Sequence, residues 1–193
     1  MLALYFAPGA SSMAVHIALH EIGVAFEPRP VSLARREQRA PAFLALNPDG
    51  KVPLLLIDGR PLSEVLAILV YLARRFPAAG LLAQGDVEAE AQALSWMSFI
   101  AATLHPARRF GPEATRAAFA WAEARLGTRD WALGVWSIVD IHLFRLYWRL
   151  VNSRQPPPDV FPRLAAHYDR MMARPAVRRT IEIERTIGYE LPD

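Results

Sequence analysis

The first part of the chain alternates between short apolar runs that predict strands and longer amphipathic stretches that predict helices. Residues 2–7 form an apolar run that ends at Pro8-Gly9, which is typical of a buried strand followed by a turn. A helical pattern then covers residues 12–22, and Gly23 is placed to end that helix in the left-handed conformation. The prolines within residues 24–33 predict a second strand that lies at an edge of the sheet.

A hairpin and a third helix complete this pattern. A helical segment around residues 35–44 leads into a dense turn signal at residues 47–50. Two apolar segments then flank Asp58-Gly59, a dipeptide that strongly favours a hairpin turn. Residues 64–76 carry the broad apolar face of a helix. The order of these elements predicts a mixed α/β domain over residues 1–77.

The alternation stops in the Pro/Gly-bearing connection after Phe76, and every later pattern is helical. We therefore predict a second, all-α domain over residues 86–193. Ser137, followed three residues later by Asp140, predicts a capping box at the start of one of its helices, so we assign both residues to folding. The predicted helices cover residues 86–107, 113–127, 138–151 and 161–173, with a loop around Pro156-Pro157-Pro158 before the last of them.

Composition narrows the chemistry that such a fold can perform. With 193 residues, of which 53% are hydrophobic, the chain can bury a substantial core. It has no cysteine, so disulfides, cysteine nucleophiles and thiolate metal sites are excluded, and any thiol chemistry needs a thiol supplied by a ligand. The N-terminus lacks the pattern of a signal peptide and no uncharged apolar stretch reaches ~18 residues, so we expect a cytoplasmic protein without a membrane segment.

The charged residues give a net charge of +3, which suits an anionic ligand. Lys51 is the sole lysine, and the arginines occur in scattered pairs such as Arg35-Arg36 and Arg178-Arg179. Because nucleic-acid-binding proteins concentrate basic residues on one element with aromatic residues between them, we expect no nucleic-acid partner. The histidines share no metal-ligand spacing with acidic residues, so we predict no metal site.

Three stretches of the sequence, taken together, resemble the glutathione transferase family, and the bacterial beta class in particular. They are LYFAPGASSMAVHIAL at 4–19, NPDGKVPLL at 47–55 followed by LSEVLAILVYLA, and FPRLAAHYDRMMARPAVRRTIEIE at 161–184. The resemblance covers nearly the whole chain. It implies the glutathione transferase fold, with a thioredoxin-like glutathione-binding domain before an all-helical domain. It also implies glutathione as co-substrate, a small hydrophobic electrophile as second substrate, and a homodimer.

The turn NPDGKVP delivers Val52 in an extended conformation, because a residue before proline is pushed out of the helical region. The resemblance implies that the Val52-Pro53 peptide is cis. It also implies that the backbone of Val52 pairs with the cysteinyl backbone of glutathione like an added strand. An ordinary edge-strand proline is the alternative. We include Lys51, Val52 and Pro53 among the glutathione-binding residues.

Glu64 lies at the start of the third predicted helix, where a carboxylate faces the positive end of the helix dipole. In the family, an acidic residue followed by serine or glycine grips the γ-glutamyl end of glutathione, and here Val65 stands at the second position. The backbone N–H of Val65 can still bind the ligand carboxylate, as helix N-termini do. The missing hydroxyl bond, worth about 0.5–1.5 kcal/mol, implies either weaker glutathione binding or a site adapted to another ligand. The alternative for Glu64 is a simple helix-start carboxylate.

The reactive position implied by the resemblance is the start of the first helix. Beta-class proteins carry a cysteine in a PG-x-C-S pattern, whereas this chain reads PGASS, so that Ser11 stands at the cysteine position. A hydroxyl donor together with a helix N-terminus can stabilise a glutathione thiolate, which forms from a thiol of unperturbed pKa about 8.5. The candidate catalytic hydroxyls are those of Ser11, Ser12 and the first-strand Tyr5, in that order. Capping of the helix by either serine is the non-catalytic alternative.

His105 matches a histidine that beta-class proteins direct from the helical domain toward the active-site cleft, where it would contact glutathione or a water. The alternative is a structural histidine that precedes Pro106 at a helix break. Trp96, Phe99 and Phe110 are candidates for lining the electrophile pocket, although aromatic residues at helical spacing usually belong to the core.

Together these features predict a glutathione transferase that activates the glutathione thiol for attack on a hydrophobic electrophile. Two alternatives stay open, because the same fold serves glutathione-dependent isomerases and reductases and also non-catalytic binding or regulatory proteins. Val65 and the missing cysteine favour a non-catalytic protein. Ser11, Ser12 and the intact NPDGKVP turn favour an enzyme.

Overall fold

The structure, a computed structural model, describes residues 1–83, 85–152 and 161–190. The loop predicted around Pro156-Pro157-Pro158 lies outside the described residues. In chain order the helices are α1 (Met13–Ile22), α2 (Pro41–Leu44), α3 (Val65–Arg75), α4 (Val87–Phe99), α5 (Pro112–Leu126), α6 (Ile138–Val151), α7 (Pro162–Met172) and α8 (Pro175–Ile187).

The chain packs as two units. The first comprises Met1–Leu72 together with the last helix, α8, and the second comprises Ala73–Arg174. The domain boundary after Phe76 stays a prediction. The helical pattern of α8 gave no sign that this helix packs with the first unit and not with the helices that precede it.

A mixed sheet forms the centre of the first unit. Its strands are β1 (Leu2–Phe6), β2 (Phe26–Pro30), β3 (Leu54–Ile57) and β4 (Arg60–Ser63). The strand order is β2-β1-β3-β4, in which β1 and β2 are parallel while β3 runs antiparallel to both β1 and β4. The mixed sheet confirms the predicted α/β class. As predicted, β2 lies at an edge of the sheet, where the missing N–H groups of its prolines cost no hydrogen bond to a further strand.

Two predicted chain reversals adopt the left-handed backbone conformation. Asp58 and Gly59, at the tip of the β3–β4 hairpin, have φ angles of 50° and 81°. Positive φ at both central residues is the requirement of the type I′ turn that Asp-Gly favours. Gly23 ends α1 with φ 73° and donates its N–H to the Leu19 carbonyl. Both reversals therefore confirm the turns predicted from the sequence.

An apolar cluster covers one face of the sheet and supports the loop before β3. Its members are Ala3, Val31, Phe43, Leu54 and Leu56. Tyr5 and Val52 pack against the same cluster, and the Tyr5 ring meets the Phe43 ring edge-on with the ring centroids 5.5 Å apart. The cluster therefore holds the Val52 turn against the sheet.

In the second unit, the segment predicted as one helix over residues 86–107 changes its geometry. α4 ends at Phe99 and is followed by a π-helical turn at Ile100–Leu104 and a 3₁₀ turn at Pro106–Phe110. The His105 N–H donates to the Ile100 carbonyl at 2.8 Å, which closes the wide turn. Pro106 has no N–H and its ring opposes an α-helical path, so the prediction of a single helix is wrong beyond Phe99.

The capping box at the start of α6 is confirmed. The Ser137 hydroxyl accepts the Val139 N–H at 3.2 Å, and the Asp140 carboxylate accepts the Ser137 N–H at 2.9 Å. The same carboxylate also accepts the Ala132 N–H at 2.7 Å and lies 3.0 Å from Nε2 of His167. Asp140 is fully buried, so these contacts compensate its charge and fix the start of a buried helix.

Candidate functional site

The sheet topology brings three of the predicted segments to one end of the sheet. Tyr5 near the end of β1 pairs with Leu54 at the start of β3, and Leu54 pairs with Ser63 at the end of β4. The loop after β1, the turn before β3 and the start of α3 therefore lie at the same end. These segments carry Ser11, Lys51–Pro53 and Glu64-Val65.

Ser11 lies in the turn before α1 and reaches the neighbouring loop. Its half-buried side chain donates a hydrogen bond from the hydroxyl to the Val52 carbonyl at 3.2 Å. The N–H groups of Ser11 and Ser12 find no acceptor among the described residues. The start of α1 thus presents unfilled donors and a hydroxyl beside Val52, an arrangement suited to an anion.

Ser12 is fully buried, and its hydroxyl is committed to the backbone of Ala7. It accepts the Ala7 N–H and donates to the Ala7 carbonyl, both at 3.1 Å. As the residue preceding α1, Ser12 makes no side-chain capping bond to the helix. Ser11 and Ser12 therefore differ in role: the Ser11 hydroxyl contacts the Val52 loop, whereas the Ser12 hydroxyl holds the backbone of Ala7.

Tyr5 is tied to the neighbouring edge strand. Its hydroxyl accepts a hydrogen bond from Nη1 of Arg29 at 2.7 Å, and Arg29 is its register partner on β2. Arg29 donates hydrogen bonds to Glu27 and to Tyr5, and both raise the pKa of its guanidinium above the usual range, the bond to Glu27 more than the bond to Tyr5. The Tyr5 hydroxyl is thus held by a permanent cation on β2.

The turn before β3 has the conformation that the resemblance implied, with a cis peptide between Val52 and Pro53. Asn47 shapes it by donating from Nδ2 to the Lys51 carbonyl at 2.9 Å and accepting the Asp49 N–H at 3.2 Å. Lys51 is exposed. Within the described residues the Val52 N–H donates to no acceptor and is available to an added strand, whereas the Val52 carbonyl accepts the Ser11 hydroxyl.

Glu64 and Val65 stand at the junction of β4 and α3. Glu64 is exposed and adopts φ 69°, a left-handed conformation that strains a residue with a side chain and is often found at ligand sites. Its carbonyl accepts the Ile68 N–H at 3.0 Å, which closes the first turn of the helix. Val65 is only 8% exposed and contributes no hydroxyl at this end of the sheet.

His105 belongs to the second unit and lies between the π-helical and 3₁₀ turns. The residue is exposed, but crowding partly desolvates the ring. This desolvation contributes most to lowering the pKa of His105 to about 4, and repulsion by Arg145, Arg109 and Arg108 adds to it. The imidazole is therefore neutral at pH 7 and can donate one hydrogen bond and accept another.

The aromatic candidates for a substrate pocket differ in exposure. Trp96 is 3% exposed and packs edge-on against Phe99, with ring centroids 5.9 Å apart. Phe110 is 77% exposed. Trp96 is thus a core residue of its unit, whereas Phe110 is available at the surface.

Sequence reasoning missed a buried carboxylate–imidazole contact next to the turn that carries Ser11. Glu184 of α8 accepts the Gly9 N–H at 2.7 Å and lies 2.9 Å from Nδ1 of His16. Both side chains are at most 1% exposed. The available signal was that Glu184 shares a helical stripe with Val177 and Thr180, where an apolar residue is expected.

The described ranges contain no group of three or more metal-ligating side chains arranged to hold a metal ion. Nor does any helix among the described residues combine the length and apolarity that a membrane crossing needs.

Comparison with known proteins agrees with this geometry. Residues 1–74 match the family model described as glutathione S-transferase, N-terminal domain, and residues 110–175 match the corresponding C-terminal domain. Glutathione S-transferase GST-4.5 of Xanthomonas campestris pv. campestris is 31% identical over 202 residues, covering 94% of this chain and 98% of that protein. The chain therefore belongs to the glutathione S-transferase family.

Solved structures confirm the glutathione transferase fold. A glutathione transferase homolog from Sulfitobacter, with bound glutathione, superimposes with a TM-score of 0.88 at 32% identity, covering 95% of this chain and 98% of that one. A bacterial beta class glutathione S-transferase from Sphingomonas chungbukensis gives a TM-score of 0.83 at 33% identity, covering 94% and 98%. The resemblance to bacterial beta-class proteins is thereby confirmed as well.

Proposed function

We propose that this chain is a glutathione transferase that binds glutathione at the end of the sheet defined by Ser11, Val52 and Glu64. It activates the glutathione thiol and directs it at a small hydrophobic electrophile. In an aryl halide, the thiolate sulfur forms a bond to the electrophilic carbon, and the halide leaves with the electron pair of the broken bond. The thiol proton passes to solvent before the attack.

The observation that carries this proposal is the 3.2 Å hydrogen bond between the Ser11 hydroxyl and the Val52 carbonyl. If the cysteinyl backbone of glutathione pairs with Val52, the cysteine side chain of the ligand lies next to Ser11. The ligand N–H then takes the Val52 carbonyl, which releases the Ser11 hydroxyl to donate its one proton to the thiol sulfur, and the unfilled N–H groups of Ser11 and Ser12 face the same sulfur. Together these donors favour the anion over the neutral thiol.

Among the candidate hydroxyls, Ser11 is the residue to which we assign this role. The Ser12 hydroxyl is used twice by the Ala7 backbone, and the Tyr5 hydroxyl is held by Arg29. At the other end of the ligand, the N–H of Val65 at the start of α3 and the Glu64 carboxylate are suited to the α-carboxylate and α-amino group of the γ-glutamyl residue. The role of His105 stays a prediction.

A non-catalytic glutathione-binding protein is the second candidate, and the replacement of the hydroxyl residue by Val65 favours it. Two measurements on the unmodified protein separate the candidates: calorimetric titration with glutathione, and the rate of conjugation of glutathione to a chlorodinitrobenzene. Binding with conjugation supports the transferase. Binding without conjugation supports the non-catalytic protein, and the absence of both contradicts the proposed site.

We also propose that two copies of the chain form a homodimer, as the resemblance to the family implies. Large apolar side chains that a single chain leaves exposed support this proposal: Val87 on α4 is 75% exposed and Trp121 on α5 is 59% exposed. Sedimentation should give a mass of about twice the 21.6 kDa of one chain. A mass equal to that of one chain would contradict the dimer.

A further inference from the structure

We infer that Glu184 of the last helix, α8, is a positioning residue that holds the Ser11 turn in the geometry required for thiolate binding. The inference rests on the proposed function, because it concerns the same turn before α1. It assigns to the C-terminal helix a role in the chemistry of the N-terminal loop, from which it is separated by some 170 residues of chain.

The carboxylate of Glu184 makes two contacts, and both go to the segment that carries Ser11. Oε2 accepts the Gly9 N–H at 2.7 Å, and Oε1 lies 2.9 Å from Nδ1 of His16 on α1. Glu184 is 0% exposed. A carboxylate removed from water in this way is tolerated only where charge and hydrogen bonds compensate it, and the His16 ring and the Gly9 N–H supply that compensation.

The His16 ring is surrounded by other rings, and its hydrogen-bonding contact is with Glu184. The His16 ring packs against the rings of Phe6, His20 and Phe26, with centroids 4.6, 4.8 and 5.7 Å away. Burial, followed by repulsion from His16 and Arg179, lowers the pKa of His20 to about 4, so His20 is neutral at pH 7. Of the two histidines, His16 is the one that contacts the Glu184 carboxylate, at 2.9 Å.

The two ends of the turn before Ser11 are held by different groups. The Ser12 hydroxyl fixes Ala7, and Glu184 fixes Gly9, whose φ of 71° places it in the left-handed region. The N–H of Ala10 closes the turn on the Ala7 carbonyl at 3.0 Å. Because Ser11 directly follows this segment, a shift of Gly9 would move the Ser11 hydroxyl and the unfilled N–H groups together.

The contact at Gly9 is separable from the general packing of α8 on α1. These helices are also joined by Thr180, whose hydroxyl lies 2.9 Å from Nδ1 of His20. Glu182, two residues before Glu184 on α8, is exposed and pairs with Arg185. Thr180→Val and Glu182→Gln are therefore matched controls that alter α8 without touching the Gly9 turn.

The test compares Glu184→Ala with Glu184→Gln, which retains an acceptor for Gly9 and a polar partner for His16. The readouts are kcat and KM for glutathione and the pH profile of kcat/KM, measured with a chlorodinitrobenzene on protein shown to be folded by circular dichroism. Glu184→Ala should lower kcat/KM at about pH 6.5 by about tenfold or more, the effect of a one-unit rise in the thiol pKa. The loss should shrink at high pH.

Glu184→Gln should stay within about threefold of the unmodified protein, and both control variants should keep its pH profile. If Glu184→Ala does not fold, Glu184→Asp retains the charge but withdraws the carboxylate from Gly9, and it should shift the profile in the same direction. The inference is overturned, and the proposed function is not, if the unmodified protein is active and a folded Glu184→Ala or Glu184→Asp variant has an unchanged pH profile. An unmodified protein without conjugation would overturn the proposed function.

Discussion

Two helices of this protein begin at turns that contain serine, and the two starts are completed in opposite ways. At α6, the Ser137 hydroxyl and the Asp140 carboxylate accept the N–H groups around the first turn, and both residues are buried. At α1, the Ser11 hydroxyl is directed at the Val52 carbonyl, and the N–H groups of Ser11 and Ser12 have no acceptor among the described residues. The first start is closed by the protein itself, and the second is open to a ligand.

The difference indicates how a folding feature can be told from a site when the sequence pattern is similar. The first N–H groups of every helix lack partners within the helix and need acceptors from elsewhere. α6 takes its acceptors from the Ser137 hydroxyl, the Asp140 carboxylate and the Leu81 carbonyl. Before α1, the N–H groups of Ser11 and Ser12 have no acceptor in the described part of the chain while Ala7 and Gly9 are held in place, so a bound anion can supply the missing acceptor.

The largest expected effect is a loss of stability on removing the acceptors at the start of α6. Asp140→Ala removes the acceptor of two buried N–H groups and the partner of His167, so it should lower the free energy of unfolding by about 3–5 kcal/mol. Urea denaturation measures this change. Asp130, which is 75% exposed and pairs with Arg170, is the matched control, and Asp130→Ala should change stability by less than about 1 kcal/mol. Equal effects of the two variants would contradict the account of α6.

The buried α6 also predicts a pH dependence of stability. Burial, followed by repulsion from His105 and Arg145, lowers the pKa of His142 to about 3. Because this lies below the unfolded value of about 6.5, the unfolded chain binds the proton more readily between these pH values, and stability falls as pH drops through this window. At about pH 5 the contribution is a loss of about 2 kcal/mol, which His142→Leu should abolish.

Chemical denaturation at about pH 7.5 and about pH 5 provides this comparison for both proteins. The pH dependence should be smaller in His142→Leu than in the unmodified chain. An equal loss of stability in the two proteins would contradict the assignment to His142.

At the open start, Ser11→Ala should change chemistry more than stability. Removing a stabilising hydroxyl raises the thiol pKa, so kcat/KM should fall about tenfold at about pH 6.5 and little at high pH. Ser12→Ala is the matched control, and it should instead lower the free energy of unfolding by about 1–3 kcal/mol, because it removes the acceptor of the buried Ala7 N–H. An unchanged pH profile for Ser11→Ala would remove Ser11 from the mechanism.

The smallest expected effect concerns the start of α3. Val65→Ser restores a hydroxyl at the position where the family carries serine or glycine, and it should tighten glutathione binding by about 3- to 10-fold in calorimetric titration. Val65→Ala, which is smaller but has no hydroxyl, should not tighten binding. If both variants bind equally well, the gain comes from space and the hydroxyl is irrelevant.

Much of the first unit was predictable from the sequence, because local rules decide its turns. Pro8-Gly9, Gly23 and Asp58-Gly59 mark the ends of their elements through backbone geometry. In the second unit, Ser137 with Asp140 marks the start of α6 in the same local way. The approach of Ser11 to Val52 followed from the resemblance and not from spacing. It depends on a sheet register that a strand pattern does not reveal.

Other features could not be predicted, because they depend on contacts between distant segments. Periodicity does not distinguish a continuous α-helix from the π-helical turn that precedes His105. The unequal roles of Ser11 and Ser12 arise from the position of the Ala7 backbone, and the pairing of Glu184 with His16 joins residues that are 168 positions apart. An acidic residue at a helix position where the periodic pattern predicts an apolar residue is the sequence signal by which such a pair can be sought.

The central claim, that the open start of α1 stabilises a thiolate, is tested most directly by titrating the thiol of bound glutathione. The ultraviolet absorbance of the thiolate in the complex with the unmodified protein gives its pKa. The account predicts a value about one to two units below the unperturbed thiol value of about 8.5. Glutathione that binds with a thiol pKa at or above about 8.5 would contradict it.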